Sequence, residues 1–161
     1  MAISKIQDAG VSLTGAALPA GSVLQVVQFE STSSFITTST SFTDATGFAA
    51  SITPSSSTSK ILVLLNAFIS NATANNYAWA RVVRGGTVVI PDLVQIEPNS
   101  FAGSGRLVSG AKLDLPNTTS QVTYQIQIKT ESSGASAKLG IGADGQTTVG
   151  ATSLILMEIA A

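Results

Sequence analysis

The chain never holds a helical period. No stretch of ten or more residues repeats its apolar side chains at 3.6-residue spacing behind a capping residue. Short runs rich in Val, Ile, Thr and aromatics follow one another instead, each stopped by Gly, Pro, Asn or Ser. Residues 122–130 (VTYQIQIKT) show the pattern best: Val122, Tyr124, Ile126 and Ile128 alternate with Thr123, Gln125, Gln127 and Lys129. Strand side chains point to opposite faces in turn, so this run predicts a strand with one face in a core and one outside. Residues 60–70 (KILVLLNAFIS) are apolar on both faces at first, as a central strand of a sandwich would be.

Further strands are predicted over 22–29, 35–42, 47–53, 77–84, 87–90, 106–113, 137–142, 146–149 and 152–159. In 35–42 the alternation places Ile36, Thr38, Thr40 and Phe42 on one face. Gly85-Gly86 and Asp144-Gly145 are two-residue hairpin turns, which need positive φ. Pro91 is expected to close the strand that follows the first of them. So many short strands in 161 residues predict an all-β protein, a jelly-roll-like β-sandwich over residues 22–161. Residues 1–21 differ. They carry Gly10, Gly15, Gly21 and Pro19 without any sustained period, and are expected to form an extended N-terminal arm. Ile3, Ile6, Val11, Leu13 and Leu18 would anchor that arm on a partner.

Charge bears on how the domain lives in water. Asp, Glu, Lys and Arg are only 11% of the chain, and Ser and Thr supply about a quarter of it. Ordinary soluble domains carry about 25% charge, and like-charge repulsion helps keep them apart. Much of this surface is therefore expected to be covered by neighbouring chains. Eight scattered basic residues and a net charge of −1 offer no phosphate-neutralising patch, so nucleic acid is not an expected partner. The longest unbroken apolar run, 61–65, is far short of the roughly 20 residues that span a bilayer. The start MAISKIQDAG has no signal-peptide pattern. A soluble, unprocessed chain without membrane contact is expected.

The chemistry-bearing residues point away from catalysis. Histidine and cysteine are both absent, which removes the usual triads, thiol chemistry and most zinc sites. Nine carboxylates are dispersed along the chain. A glycosidase can work with two carboxylates brought together by the fold, so that class stays open on sequence alone. The expectation is a protein that is not an enzyme and needs no cofactor or metal. Residues 140–145 (GIGADG) match a GxGxxG pattern, but QTTVG follows where a dinucleotide site needs a helix. The sequons at Asn71 and Asn117 read as turn residues that hydrogen-bond locally. Tyr77, Trp79 and Arg81 share one strand face, with Arg84 opposite. The two aromatics suit packing or a subunit interface, and a sugar-stacking platform is the alternative.

GSVLQVVQ at 21–28, SFTDATGFAASITPSSSTSKILVLL, the hairpin RVVRGGTVV, LDLPNTTSQVTYQIQI and the closing TSLILMEIAA together resemble a family of small structural proteins of tailed bacteriophages. The resemblance covers roughly residues 21–161 and consists of strand and turn signatures, with no catalytic motif. It implies a β-sandwich module, often trimeric, of the kind found in head or tail fibres and as outer capsid proteins. The chain is shorter than a fibre with its shaft. The role implied first is a capsid decoration (cement) protein, a homotrimer outside the phage head whose arm contacts the major capsid protein or another virion protein. Such a protein would be assembled in the host cytoplasm and reside on the virion surface. The alternative is a short head or tail fibre, a receptor-binding module touching a host surface glycan through loops 72–76 and 98–105. Apolar surface near the threefold axis is expected from Tyr77, Trp79, Leu154 and Leu156.

Overall fold

A computed structural model describes residues 18–95, 105–141 and 151–161. Every regular element among them is a strand: β1 (Val23–Ser31), β2 (Phe35–Thr37), β3 (Thr43–Ile52), β4 (Lys60–Asn71), β5 (Ala78–Arg84), β6 (Thr87–Gln95), β7 (Gly105–Asp114), β8 (Val122–Thr130), β9 (Ala137–Leu139) and β10 (Thr152–Ile159). They form two antiparallel sheets, a jelly-roll-like β-sandwich. The first sheet runs β1-β10-β4-β9-β2, with β7 on the free edge of β4, and the second runs β3-β8-β5-β6.

The first sheet is organised around β4. Its residues 60–66 pair with β10, residues 69–71 pair with β9, and residues 61–70 pair with β7 on the other side. A strand with partners on both edges satisfies its backbone N–H and C=O groups without water, so it can bury its side chains. Ile61, Val63, Leu65, Ala67 and Ile69 point inward and are at most 1% exposed. Facing them from the second sheet are Ala78, Ala80 and Val82 of β5 and Tyr124, Ile126 and Ile128 of β8. The alternation in 122–130 was legible: Tyr124, Ile126 and Ile128 are sealed inside, Val122 packs on the core edge, and the four intervening residues lie outside. Phe29 and Phe48 bridge β1 and β3 edge-to-face, with centroids 5.9 Å apart.

Three strand expectations need correction. The run 35–42 is a strand only to Thr37. Beyond it Thr37 Oγ1 accepts from the Ser39 N–H at 3.2 Å, and Ser39 Oγ accepts from the Ser41 N–H at 3.0 Å. Hydroxyls that bond their own backbone two residues on compete with ladder pairing, so a Ser/Thr alternation imitates a strand without making one. Pro91 does not end β6, which continues to Gln95. β6 is the sheet edge, where a missing N–H faces no partner, and the register with β5 slips between Val82↔Ile90 and Ala80↔Leu93. Third, β9 stops at Leu139, short of the expected 142. The Gly85-Gly86 turn is confirmed, with φ of +53° and +85° and Arg84 opposite Thr87. The Asp144-Gly145 turn, the strand over 146–149 and most of the GIGADG match lie outside the described residues.

Gly140, the first glycine of that match, closes the top of the first sheet. Its N–H donates to the Phe68 carbonyl at 2.9 Å, its φ is +79°, and a Cβ there would stand 2.4 Å from the Ser33 carbonyl oxygen. Gly134 also has positive φ (+84°), with open space around it. Gly140→Ala should therefore destabilise the fold by roughly 2–4 kcal/mol, and Gly134→Ala by about 1 kcal/mol. Urea unfolding of both variants checks this, and equal losses would show that the contact with Ser33 is not what fixes Gly140.

Candidate functional site

Two carboxylates, Asp114 and Glu158, are tied up in structural hydrogen bonds. Asp114, at the end of β7, accepts from Arg84 Nε at 2.6 Å, Arg84 Nη2 at 3.2 Å and the Tyr124 hydroxyl at 2.8 Å. This links β7 of the first sheet to β5 and β8 of the second. Burial alone would raise the Asp114 carboxyl, but the bonds from Arg84 and Tyr124 outweigh it and hold the group below its ordinary value. The bond to Asp114 raises Arg84 in turn, and burial followed by Asp114 raises the Tyr124 phenol.

Glu158 is the one charged residue of β10. It is fully enclosed. Its carboxylate accepts from Gln25 Nε2 at 2.6 Å and from the Ser55 N–H and hydroxyl at 2.7 Å each. Burial pushes its pKa up, and the bonds from Gln25, Ser59 and Ser55 more than reverse that. Both carboxylates thus serve to fasten strands. Among the described residues no three of His, Cys, Asp and Glu gather as metal ligands. No described element is a helix that could cross a membrane.

Surfaces are where this molecule is unusual. An antiparallel sheet that buries one face usually turns a polar face to water. The outer face of the first sheet does not. Following the register across β1, β10, β4 and β7, one row reads Val26–Met157–Leu62–Leu113 and the next Gln28–Ile155–Leu64–Ala111. A third row, Glu30–Ser153–Asn66–Ser109, is polar, and beyond it Phe68 pairs with Leu107. Val26 is 56% exposed and Leu107 64%. The small side chains of Ser109, Gly110 and Ala111 beside Leu64 leave a shallow groove of about 300 Å³.

The anticipated interface residues divide between the sheets. Leu154 and Leu156 are wholly enclosed by the sandwich, so they have no surface to offer a neighbour. The two-residue period gives the outward side of β10 to Ser153, Ile155, Met157 and Ile159 instead. Tyr77 and Trp79 do lie on an outer face, that of the second sheet, half-buried. Arg81 shares it, its guanidinium 3.9 Å from the Phe42 ring centroid, while Arg84 turns the other way to Asp114. The Lys129 ammonium stands 4.9 Å from Phe42 and 5.0 Å from Trp79. These four side chains form a ladder of alternating cations and rings.

Leu18 is half-buried and helps line a cleft of about 370 Å³ with Leu24, Ser55, Ser56 and Ala160. The other proposed anchors, Ile3, Ile6, Val11 and Leu13, lie outside the described residues, as does nearly all of loop 98–105. Asn71 is the buried last residue of β4 and not a turn residue, though its Oδ1 accepts from the Thr73 N–H at 2.9 Å, and Asn117 follows β7 with φ +53°. Sequence reasoning missed the apolar outer face. Its signal was present in 107–113 and 153–159, where both alternating sets of side chains contain large apolar residues.

No protein-family model matches the chain, and no curated protein matches it. Among solved structures it is similar to the VP2 protein of infectious bursal disease virus. A VP2 subviral particle aligns with a TM-score of 0.43 and 16% identity over 85% of this chain, and a VP2 mutant in T=1 particles with 0.46 and 13% over all of it. VP2 of the Gx strain gives 0.45 and 14% over 85%. The chain spans 37% to 41% of the length of these proteins.

Acid should weaken the fold through the buried Glu158 and the partly buried Asp114. Each titrates lower in the folded chain than its ordinary value, 4.5 for Glu158 and 3.8 for Asp114. Their stabilisation is therefore complete above those values and is lost as pH falls through the folded-state values. Glu158→Gln should cost about 1–3 kcal/mol at pH 7, because one acceptor oxygen becomes an NH2 facing the donors of either Gln25 or Ser55. Melting curves between pH 7 and pH 3 should then fall less steeply for the variant than for the parent chain. Parallel curves would remove Glu158 from the acid response.

Proposed function

We propose that the protein is a virion structural component, a capsid decoration (cement) protein that stabilises the outside of a tailed-phage head. The observation that supports this best is the apolar outer face of the first sheet. A protein with 11% charge and a second, outward apolar face is suited to having that face covered. Four strands about 4.8 Å apart, each advancing about 3.3 Å per residue, give a face on the order of 600 Å². Stable interfaces bury about 800 Å² per partner. The face alone falls somewhat short of that, and an arm formed by residues 1–21 would supply the remainder.

On this reading the subunits form a homotrimer in which Val26, Met157, Leu62 and Leu113 are covered by neighbouring copies. The arm, anchored by Ile3, Ile6, Val11, Leu13 and Leu18, reaches over the major capsid protein or another virion protein. Assembly takes place in the host cytoplasm and the finished protein lies on the particle surface. Neither catalysis nor a cofactor is needed for this work, since apolar burial at about 25 cal/mol per Å² does it. A short head or tail fibre is the second reading, supported by the exposed aromatic cleft on the other sheet. Copy number in the particle separates them: hundreds on the head fit cement, and a few dozen at the tail fit a fibre.

Sedimentation velocity at micromolar concentration is expected to show a trimer, and a monomer there overturns the assembly reading. Leu107→Asp and Val26→Asp, both at exposed positions, should each weaken association at least about tenfold, which is 1.4 kcal/mol. Their effect on the melting temperature of dilute protein should be small, because exposed substitutions usually stay within about 0.5 kcal/mol. Deleting residues 2–18 should abolish binding to expanded capsids. Undiminished binding would count against the arm.

A further inference from the structure

At one end of the second sheet, Tyr77, Trp79, Val94 and Glu131 line a cleft of about 260 Å³. The register builds it: Trp79 lies between Val94 of β6 and Lys129 of β8. Tyr77, two residues earlier, falls on the same face. The Glu131 N–H donates to the Tyr77 carbonyl at 3.1 Å, and Asn71 Nδ2 donates to the same oxygen at 3.1 Å. Asn76 Oδ1 accepts from Thr130 Oγ1 and the Ser132 N–H at 3.3 Å each, while Asn76 Nδ2 donates to Ser132 Oγ. The walls are thus fixed to one another before any ligand arrives, which lowers the ordering cost of binding.

Glu131 is exposed, and no described side chain hydrogen-bonds its carboxylate. The Trp79 indole N–H likewise lacks an acceptor among the described residues. Two aromatic rings beside a free carboxylate could hold either a sugar or an organic cation. Lys129 decides between them. Its ammonium already stands 5.0 Å from the Trp79 ring and would repel a second cation, while Glu131 would repel an acidic sugar. The volume lies just below the 300–1,000 Å³ of drug-sized pockets, which suits one ring.

We propose that this cleft binds a single neutral hexose residue of a glycan, its apolar ring face on Tyr77 and Trp79 and two hydroxyls donating to the Glu131 carboxylate. Charge-assisted bonds of that kind are stronger than neutral ones. The site lies beside loop 72–76: Trp79 and Val94 stand on β5 and β6, and Tyr77 and Glu131 flank the ends of β5 and β8. It serves a head protein and a fibre equally, so it does not depend on the cement reading.

Trp79 is the sole tryptophan of the chain, and its emission reports the cleft directly. The intact protein is titrated with the methyl glycosides of glucose, galactose, mannose and N-acetylglucosamine, with choline and glucuronate as charged probes. At least one neutral glycoside should give a saturable change with a dissociation constant of roughly millimolar order. Glu131→Gln and Tyr77→Ala should weaken that binding at least about tenfold, with melting curves showing both variants folded. Should Tyr77→Ala fail to fold, the exposed Glu131→Gln carries the test alone. No saturable change with any neutral glycoside overturns the proposal. So does unchanged affinity in Glu131→Gln, or a charged probe that binds as tightly as the best neutral one.

Discussion

β4 is the strand on which the rest of the molecule depends. Along twelve residues it takes β7 on one edge and first β10, then β9, on the other. That arrangement satisfies its backbone and leaves both of its faces to side chains alone. One face became the core. The other carries Leu62, Leu64 and Phe68, and no second layer of this chain lies over them among the described residues. The same is true of β10, whose inward Leu154 and Leu156 alternate with outward Ile155 and Met157. A sandwich needs only one apolar face per sheet. Much of the surplus sits on β4 and β10, which are paired on both edges.

The few charges are placed in keeping with this. Glu158 and Asp114 lie under hydrogen bonds in one register row, on either side of Ile61, each tying its strand to other parts of the chain. Removing one partner of such a group leaves a buried charge or donor unpaired, which costs more than the bond itself gains. They act as clasps. On the second sheet the half-buried Arg81 and Lys129 are laid over Phe42 and Trp79, so that these cations too are partly spent on rings. Little free charge is left to keep copies of the chain apart.

Much of the fold was legible because its signals are local. The alternation in 122–130 and the Gly85-Gly86 turn each depend on chemistry within a few residues. The failures depended on neighbours. Whether Ser39 bonds its own turn or a ladder, and whether Pro91 sits on an edge, are decided by strand order, which a single sequence does not contain. The site was harder to read for the same reason. Tyr77 and Trp79 announced themselves as aromatics on one face, but Val94 and Glu131 join them only through pairing with β6 and β8. Leu154 and Leu156 were assigned to a surface because an apolar strand does not say which of its two sets faces the core.

The two outer faces differ in kind, and the difference gives the molecule an orientation. The first sheet presents apolar rows that gain from contact with like surface. The second presents a cation–ring ladder, the polar row Thr123, Gln125, Gln127, and a preformed cleft at its end. Side chains of the second kind are costly to bury and tolerate water well. If one face is to be covered in an assembly and the other left open, energetics selects the first sheet for the covered side. The cleft then faces solvent in every copy. Repetition would turn a weak single-hexose site into a strong one, because linked sites bind at an effective concentration set by their spacing. Assembly through one sheet and recognition through the other are therefore compatible in a single domain, and the first would amplify the second.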